Sequence, residues 1–150
     1  MAEFAAEDKY KTTGRPGQRL ARAGLADGFI DAAWNYTDSV KILLAHRTSP
    51  GIADVYGCTA LMSAATHGNA EMEEKLLQVG ASIDAQDKNG NTAFMNAVKS
   101  TVGLKSVRIL IQHGANVDLK NNDGETALRE LRGWVLPRIV HLLKQAGAKE

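Results

Sequence analysis

The chain has one cysteine in 150 residues, Cys58, which excludes an intrachain disulfide and any multi-cysteine metal site. A reducing compartment is the simplest setting for such a chain. Neither sign of charge is in excess, with 18 Lys and Arg against 17 Asp and Glu, which argues against a general nucleic-acid or membrane binder. No apolar run approaches the length of a membrane span, and Met1 to Tyr10 lacks the basic start and apolar stretch of a signal peptide. The chain therefore reads as soluble and cytoplasmic.

Groupings of residues that would carry a reaction are equally scarce. The four histidines are scattered, with no cysteine pair and no His-x-x-x-His spacing, so no zinc site is expected. Cys58 and His67 lie nine residues apart across a helical stretch, about 13 Å along the axis at about 1.5 Å per residue, too far for proton transfer. They read instead as an exposed thiol beside a turn and a histidine at a helix end. Gly14-Arg15-Pro16-Gly17 lacks the Lys-Ser/Thr of a phosphate-binding loop. Asp84, Asp87, Asp118 and Asp123 match no calcium-loop spacing and recur with turns. Neither a catalytic residue nor a cofactor, metal or small-molecule ligand is expected.

What the chain does have is repetition. Gly57-Cys58-Thr59-Ala60-Leu61-Met62, Gly90-Asn91-Thr92-Ala93-Phe94-Met95 and Gly124-Glu125-Thr126-Ala127-Leu128-Arg129 stand 33 and 34 residues apart, the scale of a stack of supersecondary units. The second half repeats too, as Leu76-Leu77-Gln78-Val79-Gly80-Ala81, Leu110-Ile111-Gln112-His113-Gly114-Ala115 and Leu143-Lys144-Gln145-Ala146-Gly147-Ala148. The middle unit carries one inserted residue, near Thr101 to Gly103. A degraded copy precedes these, through Phe29-Ile30-Asp31-Ala32-Ala33 and Ile42-Leu43-Leu44-Ala45-His46, with Arg47 where the later units have glycine.

Each threonine precedes an apolar-periodic run and can accept a backbone N–H of the first helical turn, so Thr59, Thr92 and Thr126, with Asp27 in the degraded unit, are expected helix starts. Gly80, Gly114 and Gly147 suit the left-handed residue that closes a helix. Pro137 falls in the first turn of the last helix, where its missing N–H costs little. The Asp/Asn-x-x-Gly segments ending at Gly57, Gly90 and Gly124 read as tight turns with positive φ at glycine. Neither helix of a unit buries its apolar stripe alone, so Leu61, Ala64, Leu76 and Leu77 should pack on Phe94, Ala97, Leu110 and Ile111 of the next unit. Arg129, Arg132 and Lys144 put charge on the last unit, as on a terminal cap.

These motifs resemble the ankyrin-repeat family, with its Gly-x-Thr-Pro-Leu-His-x-Ala-Ala helix opening and Leu-Leu-x-x-Gly-Ala ending. Ala60, Ala93 and Ala127 stand in place of its proline, and Met62, Met95 and Arg129 in place of its histidine. The resemblance implies an all-α repeat, an ankyrin solenoid of helix-turn-helix units joined by β-hairpin-like loops. The expected organisation is a flexible arm or leader over residues 1–19 and a repeat domain over 20–150, with units at 22–53, 54–86, 87–120 and 121–148. In this family an asparagine following the hydrophobic residue near a unit's end is a hydroxylation target; Asp84 and Asp118 hold that place here, so no such modification is expected.

The family binds other proteins on a concave face formed by the hairpin tips and the ends of the first helices. Carried over by position, that face comprises Trp34 with Asn35; Val55, Tyr56, Cys58, Thr66 and His67; Lys88, Asn89, Asn91, Lys99 and Ser100; and Asn122, Asp123, Glu125 and Arg132. Tyr56 and Trp34 are apt anchors, Trp34 serving equally well as a cover for the first unit's core, and Trp134 is expected to shield the C-terminal end. Lys88 and Lys99 make the middle basic, and Asp123 and Glu125 make the C-terminal tip acidic. The expectation is a non-enzymatic protein-interaction module, a scaffold, regulator or inhibitor, monomeric because its caps are polar. Two alternatives stay open: an interaction or targeting domain cut from a larger multidomain enzyme, and nucleic-acid contact through Lys9, Lys11, Arg15, Arg19 and Arg22.

Overall fold

The computed structural model describes residues 49–131 and 137–149. The expected arm, the degraded first unit up to residue 48 with Asp27, Trp34, Asn35 and His46, and Arg132 and Trp134 lie outside the described residues. Among the described residues six helices follow one another as three pairs: α1 (Ala60–His67) and α2 (Ala70–Gln78), α3 (Ala93–Lys99) and α4 (Leu104–Gln112), α5 (Ala127–Glu130) and α6 (Pro137–Gln145). The described residues contain no strand, only the antiparallel bridges Ala53 with Thr59 and Lys120 with Thr126. No described helix is long and apolar enough to cross a membrane.

The repeated threonines start the first helices as their chemistry requires. Their hydroxyls accept from Met62 N at 3.3 Å, Met95 N at 3.2 Å and Arg129 N at 3.4 Å, each satisfying one of the N–H groups a helix start leaves unpaired. In the first described pair Met62 replies, its Sδ accepting from Thr59 N at 3.4 Å. At the other end, Gly80, Gly114 and Gly147 sit at φ of 90°, 83° and 85°. The next residue in each unit reaches back: Ala81 N to Leu76 O at 2.9 Å, Ala115 N to Leu110 O at 2.9 Å and Ala148 N to Leu143 O at 3.0 Å. With the glycine N–H bonds to the carbonyls of Leu77, Ile111 and Lys144, each is a complete Schellman closure.

The inserted residue of the middle unit alters the turn inside its pair. Between α1 and α2 the chain turns on Gly68, at φ 68°, and on Asn69, whose side chain caps α2. Between α3 and α4 it takes four residues, Ser100 to Gly103, with no left-handed glycine and no side-chain cap on α4. Gly103 is needed for space, since a Cβ there would lie 1.8 Å from the Ala97 carbonyl oxygen.

The pairs stack in register, α1 on α3 on α5 and α2 on α4 on α6. Leu61, Ala64, Leu76, Phe94, Ala97 and Leu110 are buried in one continuous core, and Leu77 and Ile111 pack on its edge. Each fully buried large side chain stabilises the stack by about 1.5–3 kcal/mol. Units are also stapled through polar groups: Asp84 Oδ1 accepts from Asn116 N and Asp118 Oδ1 from Lys149 N, both at 2.9 Å. One buried residue does not fit an apolar seam. Glu73, on α2, is fully buried; it accepts a hydrogen bond from Ser106 of α4 through Oε1, while Oε2 has no partner among the described residues.

Candidate functional site

The three turns expected from Asp/Asn-x-x-Gly are built identically. Gly57, Gly90 and Gly124, at φ of 79°, 79° and 75°, donate to the carbonyls of Asp54, Asp87 and Asn121 at 3.0, 2.9 and 2.9 Å. The side-chain oxygen of each leading residue takes two further N–H groups: Tyr56 and Cys58 on Asp54, Asn89 and Asn91 on Asp87, Asp123 and Glu125 on Asn121, all at 2.8–3.0 Å. An Asx side chain that satisfies two backbone donors fixes the tip it sits beneath. The tips are then joined to one another, Lys88 N to Tyr56 O at 2.9 Å and Asn122 N to Asn89 O at 2.9 Å, with Asn122 Nδ2 on Lys88 O at 2.8 Å.

On this continuous edge Val55 and Tyr56 are 59% and 72% exposed. Lys88, Asn89, Asn122 and Asp123 are exposed beside them, as are Thr66 and His67 at the end of α1. Thr66 Oγ1 donates to Met62 O at 2.8 Å, and His67 Nδ1 lies 2.8 Å from Ser63 O. Ser100 is half-buried at the end of α3.

Three expected site residues differ from the sequence reading. Cys58 is half-buried, not exposed, its Sγ 3.7 Å from Thr59 O; burial, then the charges of Asp54 and Asp87, raise its pKa from 9.0 to about 11. That is the opposite of an activated nucleophile. Lys99 does not make the middle of the face simply basic, because its Nζ pairs with Glu130 Oε1 at 2.8 Å and lies 3.4 Å from Asn91 Oδ1. Glu125 in turn pairs with Arg129 at 3.0 Å. The exposed charges with no ion pair on the described tips are therefore Lys88 and Asp123.

Glu130 was not foreseen, and Asn121 was foreseen only as a turn residue, yet the two organise this part of the face. Asn121 Nδ2 donates to Glu130 Oε1 at 2.9 Å and approaches Asn91 Oδ1 at 3.4 Å, so Asn91, Lys99, Asn121 and Glu130 form one network across two units. A sequence signal existed: Ser63, Asn96 and Glu130 take the same place after each capping threonine, a polar position in otherwise small or apolar helices. Among the described residues no group of three or more His, Cys, Asp or Glu is arranged to hold a metal ion.

No curated protein matches the chain in a sequence comparison. A family model described as ankyrin repeats does, in three copies over residues 29–121. That match spans more than half the chain and takes in the first two described helix pairs, the tips at Gly57 and Gly90 and the closures at Gly80 and Gly114, and the chain belongs to the ankyrin-repeat family.

Proposed function

We propose that the chain is a non-enzymatic protein-interaction module that holds one partner protein on the concave face formed by its hairpin tips and first helices. Ankyrin repeats are generally protein-interaction modules and their domains are typically non-enzymatic, which supports the class of function. The observation that carries the finer reading is Tyr56. It is 72% exposed on a tip whose backbone is fixed by Asp54 and tied to the next tip. An aromatic ring held out on a rigid mount gives contact area at little entropic cost.

Val55 continues the apolar patch, Lys88 adds one uncompensated cation and Asp123 one anion at the far tip. A partner with an apolar pocket for the ring and charges of the opposite order fits this surface. The unit arrangement over residues 20–150, with the first and last units as caps, is part of the same reading.

The test is a pull-down from lysate of the source cell with wild type and with Tyr56→Ala/Lys88→Glu, both exposed changes that leave the core intact. Lys99 is left alone, because a second carboxylate beside Glu130 would disturb the fold. A protein captured by wild type and lost by the variant supports the reading. Equal capture by both refutes it.

A further inference from the structure

The outer helices α2, α4 and α6 present equivalent positions, because each ends in the same Schellman closure at Gly80, Gly114 or Gly147. Counted back from those glycines, Glu71, Lys105 and Arg138 share one position, and Glu74, Arg108 and His141 share the next. All six are exposed. These two acids of α2 thus give way to two cations on α4 and to one cation and a histidine on α6, and α4 and α6 contain no acidic residue at all. Nothing in the packing of exposed positions demands that change.

Between α4 and α6 lies a groove of about 360 Å³, walled by the half-buried Ile111, Leu142 and Ala146 and rimmed by the exposed Arg108, Gln112 and Gln145. It is on the second-helix layer, not on the tips that carry Tyr56. An apolar wall accepts an apolar side chain; Arg108 at the rim binds carboxylates, and Lys105 and Arg138, about one turn earlier on α4 and α6, add positive charge to those helices; and the two glutamine amides can pair with a peptide backbone. The groove has no aromatic side chain on which a base would stack, and its aliphatic wall offers nothing to a phosphate chain.

We propose that the α4–α6 groove is a second docking surface whose occupant is a short acidic segment of a partner protein bearing an apolar anchor residue. Exposed rim charges make such binding fast and salt-sensitive, with modest affinity. The surface is independent of the concave face, so the same module can hold two segments, or two partners, at once.

The test uses the full chain and a fluorescein-labelled peptide, Glu-Glu-Leu-Phe-Glu-Leu-Asp-Glu, followed by fluorescence anisotropy at about 50 mM and about 300 mM salt. Expected results are saturable binding, weakening of about tenfold or more in R108E/Q112E, and no change in the concave-face variant Y56A. A peptide with every acid replaced by Lys, and one with Leu and Phe replaced by Glu, should each bind about tenfold more weakly. Circular dichroism checks that R108E/Q112E stays folded. The proposal is overturned by the absence of binding, by equal binding to R108E/Q112E, or by an all-acidic peptide that binds as well. Displacement of the peptide by single-stranded DNA at lower concentration would reassign the groove to nucleic acid. Wild-type self-association abolished by R108E/Q112E would reassign it to a second copy of the chain.

Discussion

Replacing Glu73 with glutamine should make the protein more stable at pH 8 and leave it nearly unchanged at pH 4. Burial, opposed by the Ser106 hydrogen bond and reinforced by the neighbouring charge of Glu74, raises the Glu73 pKa from 4.5 to about 7. The folded state therefore holds a proton that the unfolded chain releases between those values. Because the folded pKa is the higher one, stability is greatest below pH 4.5 for this group and falls as pH rises through 7. At about 1.4 kcal/mol per pH unit the loss is about 3 kcal/mol.

Glutamine keeps the shape and keeps an oxygen to accept from Ser106, but it cannot ionise. Urea unfolding at pH 4, 6 and 8 gives the difference in free energy between Glu73→Gln and wild type, in which every other titrating group cancels. That difference should grow with pH toward about 3 kcal/mol in favour of the variant. A difference that stays flat across the range, or that favours wild type at pH 8, would refute the argument that the carboxylate is desolvated at the seam.

Gly103→Ala should cost several kcal/mol, because its Cβ would sit 1.8 Å from the Ala97 carbonyl oxygen, whereas Gly80→Ala meets nothing within 4 Å and pays only for φ of 90°, about 1–2 kcal/mol; urea midpoints showing Gly80→Ala as the worse of the two would contradict this. Asp87→Ala removes the acceptor for two tip amides and should cost about 1–3 kcal/mol with faster hydrogen exchange at Asn89 and Asn91. Asp87→Asn should be nearly neutral, since Asn121 does the same work in the next unit; if Asn is as harmful as Ala, the Asx account of the tips fails. With its pKa at about 11, Cys58 should react with Ellman's reagent at pH 8 about a hundredfold more slowly than an unperturbed thiol, and a native rate equal to the urea-unfolded rate would count against its burial.

Much of this was legible in the sequence where a local rule acts within one unit. Thr59, Thr92 and Thr126 cap helices, and Gly80, Gly114 and Gly147 close them, because a cap needs only the residues within one turn of it. The Asp54, Asp87 and Asn121 turns were legible for the same reason. What was not legible needs two units placed side by side. Lys99 reads as a free cation until Glu130 of the next unit is brought to 2.8 Å. Cys58 reads as exposed until the next unit's tip is tied to its own and the charge of Asp87 is brought to bear on it. Glu71, Glu73 and Glu74 look alike in the chain, and only helix phase turns Glu73 inward; its repeat partners Val107 and Val140, counted from the closing glycines, carried that signal.

The position of Glu73 also decides where the stack should first come apart. In a repeat array each unit is held by its neighbours alone, so the weakest seam sets the boundary of partial unfolding. The α2–α4 seam contains the one carboxylate among the buried residues of the outer helices, whereas the buried residues of α4 and α6 are Ser106, Val107, Ile109, Leu110, Ile139 and Leu143, none of them ionisable. Raising pH therefore weakens the first described pair against the second and leaves the second and third pairs joined. Native-state hydrogen exchange should show the opening free energy of α2 amides falling between pH 5 and pH 8, by up to about 3 kcal/mol, while those of α4 and α6 hold. In Glu73→Gln the fall should vanish. An equal loss of protection in all three outer helices would mean that the array unfolds as one cooperative block, and that the seam between α2 and α4 has no separate identity.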